Sequence, residues 1–206
     1  AFYVSGNHAV ISNSTIYDSN ASYSGGAVFI DGIETDIIKS SFTNTNAFGS
    51  EGNGGGAIFI KGENADIVES NFTNNYANSN SHARGGAMYI TGANAEVVDS
   101  KFTNAHSNIQ GGAIYVNGTN TIINGSEFNE CKVDTPGSEG GSIYIEGEGT
   151  KVLDSSFEMC IATDGGVMYI DGDGVIIDNS TFTYSTALNN AGALYVAGDN
   201  AVITGS

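Results

Sequence analysis

The stretch Gly25-Gly26-Ala27-Val28-Phe29-Ile30 decides the fold, because the chain returns to it every 25 to 30 residues. The same glycine-glycine-small-aliphatic-aromatic-aliphatic pattern occupies 55–60, 85–90, 111–116, 140–145 and 165–170, with a weaker version at 191–196. The second glycines of successive units are 30, 30, 26, 29, 25 and 26 residues apart. A repeat of this length indicates a solenoid, in which each unit buries its apolar side against its neighbours.

The residues that follow the glycine pair repeat as strictly as the pair itself. Two residues after the last aliphatic residue comes another Gly, followed five residues later by Ile or Val and eight residues later by Ser. Ten residues after that Gly stands Phe42, Phe72, Phe102, Phe128, Phe157 or Phe182. All variation in unit length falls between this Phe and the next glycine pair, so the connection there is the part that tolerates insertion.

Short β-branched and aromatic runs separated by Gly, Asn and Asp are typical of strands and turns, and no stretch keeps helical spacing for three turns. The sequence therefore predicts an all-β fold, a right-handed parallel β-helix of about eight coils with about three short strands each. Residues 1–206 form one such segment. Both ends fall inside a unit and lack a polar cap, so we expect the segment to belong to a longer protein or to be covered by another copy.

In-register stacking places equivalent residues in columns about 4.8 Å apart per coil. The uniformly apolar columns that contain Val28 and Ile30 are predicted to lie in the core, as are the Phe column and the invariant Ser column. Alternation along a strand then sends Ala27 and Phe29 outward. The predicted outer aromatic ladder, our candidate binding surface, comprises Tyr3, Phe29, Phe59, Tyr89, Tyr115, Tyr144, Tyr169 and Tyr195. Such a ladder either stabilises the coil by self-stacking or binds a protein or a glycan.

The charge of the chain excludes two classes of partner. It has 23 acidic and 6 basic residues, a formal net charge of −17. Nucleic acids and anionic membrane surfaces are bound through Lys and Arg, so neither is expected as a partner. No run approaches the roughly 18 consecutive apolar residues of a membrane span, so we expect no membrane insertion within this segment.

No arrangement in the sequence predicts catalysis, a metal site or a cofactor. His8, His82 and His106 occupy unrelated repeat positions, and the many carboxylates are expected to form a solvated edge. Paired acids at 146–149 and 171–174 lie on neighbouring corners, without the spacing of a known calcium loop. Cys131 and Cys160 each stand three residues after the Phe of consecutive units. They are close enough for either a disulfide or two buried free thiols.

Three longer connections, at 46–54, 76–84 and 132–139, are expected to project from one edge of the solenoid. They contain Arg84, the only arginine, and Pro136, the only proline. Loops on a rigid scaffold are the usual place of recognition, so the connections are a second candidate binding region.

The glycine-glycine pattern followed by the Phe motif resembles the repeat of the polymorphic outer membrane proteins (Pmp) of chlamydial autotransporters, and similar repeats occur in adhesin-like proteins of methanogenic archaea. The usual Phe-x-x-Asn motif of that family fits only Phe72-Thr73-Asn74-Asn75; elsewhere the Asn comes one residue earlier, as in Phe42-Thr43-Asn44, or is missing. The resemblance implies a non-enzymatic, extracellular cell-surface protein with an adhesin-like or fibre-forming role. Its expected partners are other copies of itself, host or cell-surface proteins, or glycans. A glycan-binding module and a carbohydrate-active enzyme are the alternatives, in that order.

Overall fold

The structure is a computed structural model that describes residues 2–48, 54–79, 83–133 and 135–206. Every regular element in the described residues is a short β-strand, and all the strand pairs are parallel. The strands form four sheets that run along a solenoid, which confirms the predicted parallel β-helix.

Each coil contributes one strand to each sheet, in the order A, B, C, D. Sheet A consists of β1 (Phe2–Val4), β5 (Val28–Ile30), β9 (Ile58–Ile60), β13 (Met88–Ile90), β17 (Ile114–Val116), β21 (Ile143–Ile145), β25 (Met168–Ile170) and β29 (Leu194–Val196). Sheet B consists of β2 (Val10–Ser12), β6 (Asp36–Ile38), β10 (Asp66–Val68), β14 (Glu96–Val98), β18 (Ile122–Asn124), β22 (Lys151–Leu153), β26 (Ile176–Asp178) and β30 (Val202–Thr204).

Sheets C and D complete the coil. Sheet C consists of β3 (Thr15–Tyr17), β7 (Ser41–Thr43), β11 (Asn71–Thr73), β15 (Lys101–Thr103), β19 (Glu127–Asn129), β23 (Ser156–Glu158) and β27 (Thr181–Thr183). Sheet D consists of β4 (Asn20–Ala21), β8 (Asn46–Phe48), β12 (Tyr76–Asn78), β16 (His106–Ser107), β20 (Lys132–Val133), β24 (Ile161–Asp164) and β28 (Thr186–Asn190). The described chain thus makes about seven full turns with the start of another. The prediction of about three strands per coil was wrong, because the segment after each Phe also forms a strand.

Four sharp corners separate the strands, and each places one residue in the left-handed region. In one coil these residues are Glu34, Lys39, Asn44 and Gly55, with φ of 54°, 49°, 54° and 67°. Asn recurs at these positions because its side chain tolerates this conformation better than most. Only the corner before sheet A is occupied almost throughout by Gly.

The glycine pair has two separate causes. Gly25 has a φ of +63°, which Gly adopts without a steric penalty. Gly26 lies so close to the next coil that a Cβ there would be 2.1 Å from the carbonyl oxygen of Gly56. The last unit has Ala191 in the first position, at φ 57°, and keeps Gly in the second.

The core is a set of residue columns, as predicted. The aliphatic columns of sheets A and B are buried in the interior coils, and the Phe column runs through the centre of sheet C. Successive Phe rings from Phe42 to Phe182 are stacked with centroids 4.6 to 5.3 Å apart and planes within 12°. One position differs from the prediction: Ala27 and its equivalents are buried in this core, because they precede the strand, in a bend where two-residue alternation does not apply.

The buried Ser column satisfies backbone groups at the corner between sheets B and C. The hydroxyl of Ser70 donates to the carbonyl of Val68 at 3.0 Å and accepts from the backbone N–H of Ser40 at 3.1 Å. The hydroxyl of Ser100 repeats this arrangement one coil later. A buried N–H without a partner costs free energy, so the recurrence of Ser is explained and the prediction is confirmed.

Candidate functional site

The predicted aromatic ladder exists, but its central rings are not an accessible surface. The eight rings lie in register along sheet A, outside the main core, and neighbouring centroids are 4.6 to 5.3 Å apart. Tyr3 at one end is 66% exposed, whereas Tyr115 in the middle is only 3% exposed. The prediction that these rings face outward from the core is confirmed. The prediction that they offer an exposed face is wrong for the central rings, Phe59, Tyr89, Tyr115 and Tyr144.

Side chains from the columns on either side cover the ladder. The guanidinium carbon of Arg84 is 5.0 Å from the centroid of the Tyr115 ring, a cation–π contact. Arg84 Nε donates to Gln110 Oε1 at 3.1 Å, and Gln110 Nε2 donates to Glu139 Oε2 at 2.8 Å. This chain of contacts uses residues of three successive coils. Arg84 therefore packs along the ladder instead of standing free in a recognition loop, as its place in the sequence suggested.

The surroundings of the buried tyrosines in the ladder keep their hydroxyl groups uncharged near neutral pH. The hydroxyl of Tyr115 donates to Glu146 Oε2 at 2.5 Å on the other flank. Burial is the main cause that raises the pKa of Tyr89, Tyr115, Tyr144 and Tyr169, and the nearby carboxylates raise it further in Tyr115, Tyr144 and Tyr169. A phenol with a raised pKa is a poor general base near neutral pH. The arrangement favours packing and hydrogen bonding over proton transfer.

A column of carboxylates runs along the outer face of sheet B. Asp36, Asp66 and Glu96 occupy equivalent positions in adjacent strands, at an open groove of about 630 Å³. Burial raises the pKa of Asp66, and repulsion from Glu96 and Asp36 raises it further. Within the described residues, no group of three or more His, Cys, Asp and Glu side chains is arranged to hold a metal ion.

The paired acids at two corners are held by neighbouring coils. Glu146 Oε2 accepts from Asn117 Nδ2 at 2.8 Å as well as from Tyr115. Asp173 Oδ1 accepts the backbone N–H of Asp199 at 2.7 Å. Ion pairs such as Lys61–Asp31 at 2.7 Å and Lys101–Glu127 at 2.9 Å also join one coil to the next. Hydrogen bonds and ion pairs between coils thus occupy many of the outer acidic side chains.

Cys131 and Cys160 are free, buried thiols in adjacent coils. Cys131 Sγ is 3.6 Å from the carbonyl oxygen of Asn129, and Cys160 Sγ is 3.5 Å from Ser142 Oγ. Burial raises the pKa of Cys131. Of the two alternatives from the sequence, the structure has the two buried free thiols.

The three connections that were expected to project as loops begin as strands β8, β12 and β20 of sheet D. Residues 49–53, 80–82 and 134 of these connections, His82 among them, lie outside the described residues. Sequence analysis did not single out the outward column of sheet D, where Tyr76, His106 and Lys132 stand side by side. The available signal was positional: each lies four residues after the Phe of its unit.

Among the residues that the structure describes, no helix is long and apolar enough to cross a bilayer. Searches against protein-family models, curated proteins and solved structures give no match to this chain.

Proposed function

We propose that the chain is a non-enzymatic, adhesin-like or fibre-forming segment of an extracellular cell-surface protein, as its resemblance to Pmp-type repeats implies. The observation that carries the proposal is the register: the strands of successive coils pair in constant register except for one shift, between β24 and β28. A solenoid whose described strands keep this register from coil to coil is expected to be a stiff rod. A stiff rod is suited to displaying side chains at a distance from a cell.

The bonds between coils support this role. Asn side chains at one corner form a ladder, with Asn74 Nδ2 donating to Asn44 Oδ1 at 3.1 Å and Asn104 Nδ2 to Asn74 Oδ1 at 2.8 Å. This ladder adds specific contacts between three neighbouring coils.

The proposal is tested by measuring whether the folded chain attaches to cells. Beads coated with the chain are mixed with candidate host cells, and with cells of the source organism, under flow. Beads coated with the heat-unfolded chain, which has the same composition and charge, are the control. Retention of the folded coating alone supports an adhesive role. Equal retention of both coatings refutes it, and turnover of any polysaccharide in a panel refutes the non-enzymatic assignment. Antibody labelling of intact cells, compared with permeabilised cells, tests the extracellular location.

Other copies of the chain are a second kind of partner. Tyr17 in β3 and Leu188 in β28 are 69% and 73% exposed, and both strands pair on one side only in the described chain. A flanking coil of the same polypeptide or a second molecule can cover such edges. Sedimentation velocity over a concentration series distinguishes the two. A concentration-dependent rise in mass supports assembly between molecules, and a constant monomer contradicts it.

A further inference from the structure

The aromatic ladder of sheet A changes its chemistry along the solenoid. After Phe29 and Phe59, every later coil has a tyrosine at this position, namely Tyr89, Tyr115, Tyr144, Tyr169 and Tyr195. A phenol gives up an electron far more easily than a benzene ring, because loss of the phenol proton leaves a neutral radical. The tyrosine half of the ladder can therefore react with a one-electron oxidant, whereas Phe29 and Phe59 cannot.

Four of these tyrosine rings are parallel and in contact with one another. They form what we call the relay stack, which consists of Tyr115, Tyr144, Tyr169 and Tyr195. Neighbouring centroids in the relay stack are 5.0, 5.2 and 4.6 Å apart, with planes within 7°. The parallel arrangement ends at Tyr115, since the ring of Tyr89 is turned by 81°. Offset rings at this spacing are in van der Waals contact, so an electron crosses the relay stack in short steps from ring to ring.

The two ends of the relay stack differ in exposure. Tyr169 and Tyr195 are half-buried, whereas Tyr144 and Tyr115 are only 6% and 3% exposed. An oxidant in solution therefore meets Tyr169 and Tyr195 first. A radical at Tyr115, by contrast, is shielded from water and from other radicals.

Tyr115 also has a path for its proton. Its hydroxyl donates to Glu146 Oε2 at 2.5 Å, and Glu146 is exposed. A neutral phenol keeps its proton in such a bond, but a phenol that loses an electron becomes a strong acid, and the carboxylate then takes the proton and passes it to water. The guanidinium of Arg84, 5.0 Å from the centroid of the Tyr115 ring, favours this coupled loss, because it repels a cationic ring and not a neutral radical.

We propose that the relay stack carries oxidising equivalents from the surface of the solenoid to Tyr115. A one-electron oxidant, such as a radical formed from a peroxide or from azide, removes an electron from Tyr195 or Tyr169, whose phenol releases its proton to water. An electron then passes from Tyr115 through Tyr144 to the oxidised ring, which takes a proton back from water, and the Tyr115 proton moves to Glu146. The oxidant gains one electron, and the product is a neutral, shielded Tyr115 radical. This activity goes beyond the proposed display role, and neither depends on the other.

Pulse radiolysis with the azide radical tests the relay. This radical takes one electron from an accessible tyrosine and becomes azide ion, and the tyrosyl absorption of the full chain is then followed in time. We expect a fast-decaying component from exposed tyrosines and a slow component from the shielded Tyr115 radical. Tyr115→Phe should abolish the slow component. Tyr144→Phe, which keeps a ring in the stack but interrupts the relay, should remove most of it without lowering the initial yield of radical.

The proton path is tested by Glu146→Gln, which keeps a hydrogen-bond acceptor but removes the base, and which should also remove most of the slow component. The matched control is Tyr184→Phe, which removes a phenol that is 83% exposed and lies outside the ladder, and which should leave the slow component in place. Thermal melts should show that all the variants fold. The proposal is overturned if the parent chain has no slow component, if the slow component survives in Tyr115→Phe, Tyr144→Phe or Glu146→Gln, or if Tyr184→Phe loses it equally. None of these outcomes bears on attachment of the folded chain to cells, so the two proposals fail separately.

Discussion

Replacing Phe102 by Ala should cost the solenoid about 3–5 kcal/mol of its free energy of unfolding. The Phe102 side chain is fully buried, and its ring is stacked between Phe72 at 4.9 Å and Phe128 at 4.6 Å, with planes within 7°. Two aromatic pairs at about 0.5–1.5 kcal/mol each are lost beyond the buried area. Because both neighbours are rigid members of the same column, the cavity cannot collapse easily, which places the expected cost in the upper part of the range.

The assay is urea unfolding followed by far-ultraviolet circular dichroism, with Phe182→Ala as the matched control. Phe182 is only partly buried and has one ring partner, Phe157 at 5.3 Å, so its replacement should cost about half as much. Since each coil contacts only its neighbours, the central change should also reduce cooperativity more than the terminal one. A loss below about 1 kcal/mol in Phe102→Ala, or equal losses in the two variants, would refute the view that the ring column is the core.

Three further predictions concern the Ser column, the ladder and the thiols. Ser100→Ala leaves the backbone N–H of Ser70 without its acceptor at 3.1 Å and should cost about 1–3 kcal/mol in the same assay, whereas unchanged stability would contradict the capping role. Burial raises the pKa of Tyr115 above the usual 10.0, so the stability that its neutral phenol adds is fully present below pH 10 and is lost as the pH rises further. Above pH 10 the melting temperature of Tyr115→Phe should therefore fall less steeply with pH than that of the parent chain. Identical profiles for the two proteins would contradict this. A thiol reagent should label neither Cys131 nor Cys160 in the folded chain and both after unfolding; rapid labelling of the folded chain, or a mass lowered by two hydrogens, would show that the reduced, buried pair is wrong.

The fold was predictable because stacking turns a repeat in the sequence into a column in space. A residue type that recurs at one repeat position, such as the Phe from Phe42 to Phe182, must contact the same residue type in the next coil. The buried Phe and Ser columns follow from that alone, and both are confirmed. The fourth strand was missed because its positions hold different residues in different units, so it carries no periodic signal.

The predictions that were wrong concern burial that depends on how neighbouring columns of residues pack against each other. Ala27 is buried because it lies in a bend, where the alternation rule for extended strands does not hold. The middle of the ladder is covered because Arg84 lies over the Tyr115 ring and is held there by Gln110, and both residues belong to segments of variable length. The outward column of sheet D contains three different side chains, those of Tyr76, His106 and Lys132. An analysis that looks for one residue type recurring at one repeat position does not detect such a column. Positions that vary within a constant fold are nevertheless where binding specificity can arise.

All the differences in unit length fall between the start of each strand of sheet D and the glycine pair that opens sheet A, and one of them shifts the pairing of β24 with β28. A single seam therefore absorbs every insertion, while the other three corners keep a fixed number of residues. Foreign peptides grafted into this seam would be held at regular heights along the rod, on one side of it, while the strands of sheets A, B and C keep their pairing. The same property would let a population of related proteins diversify that side alone, one coil at a time, over a scaffold that stays unchanged.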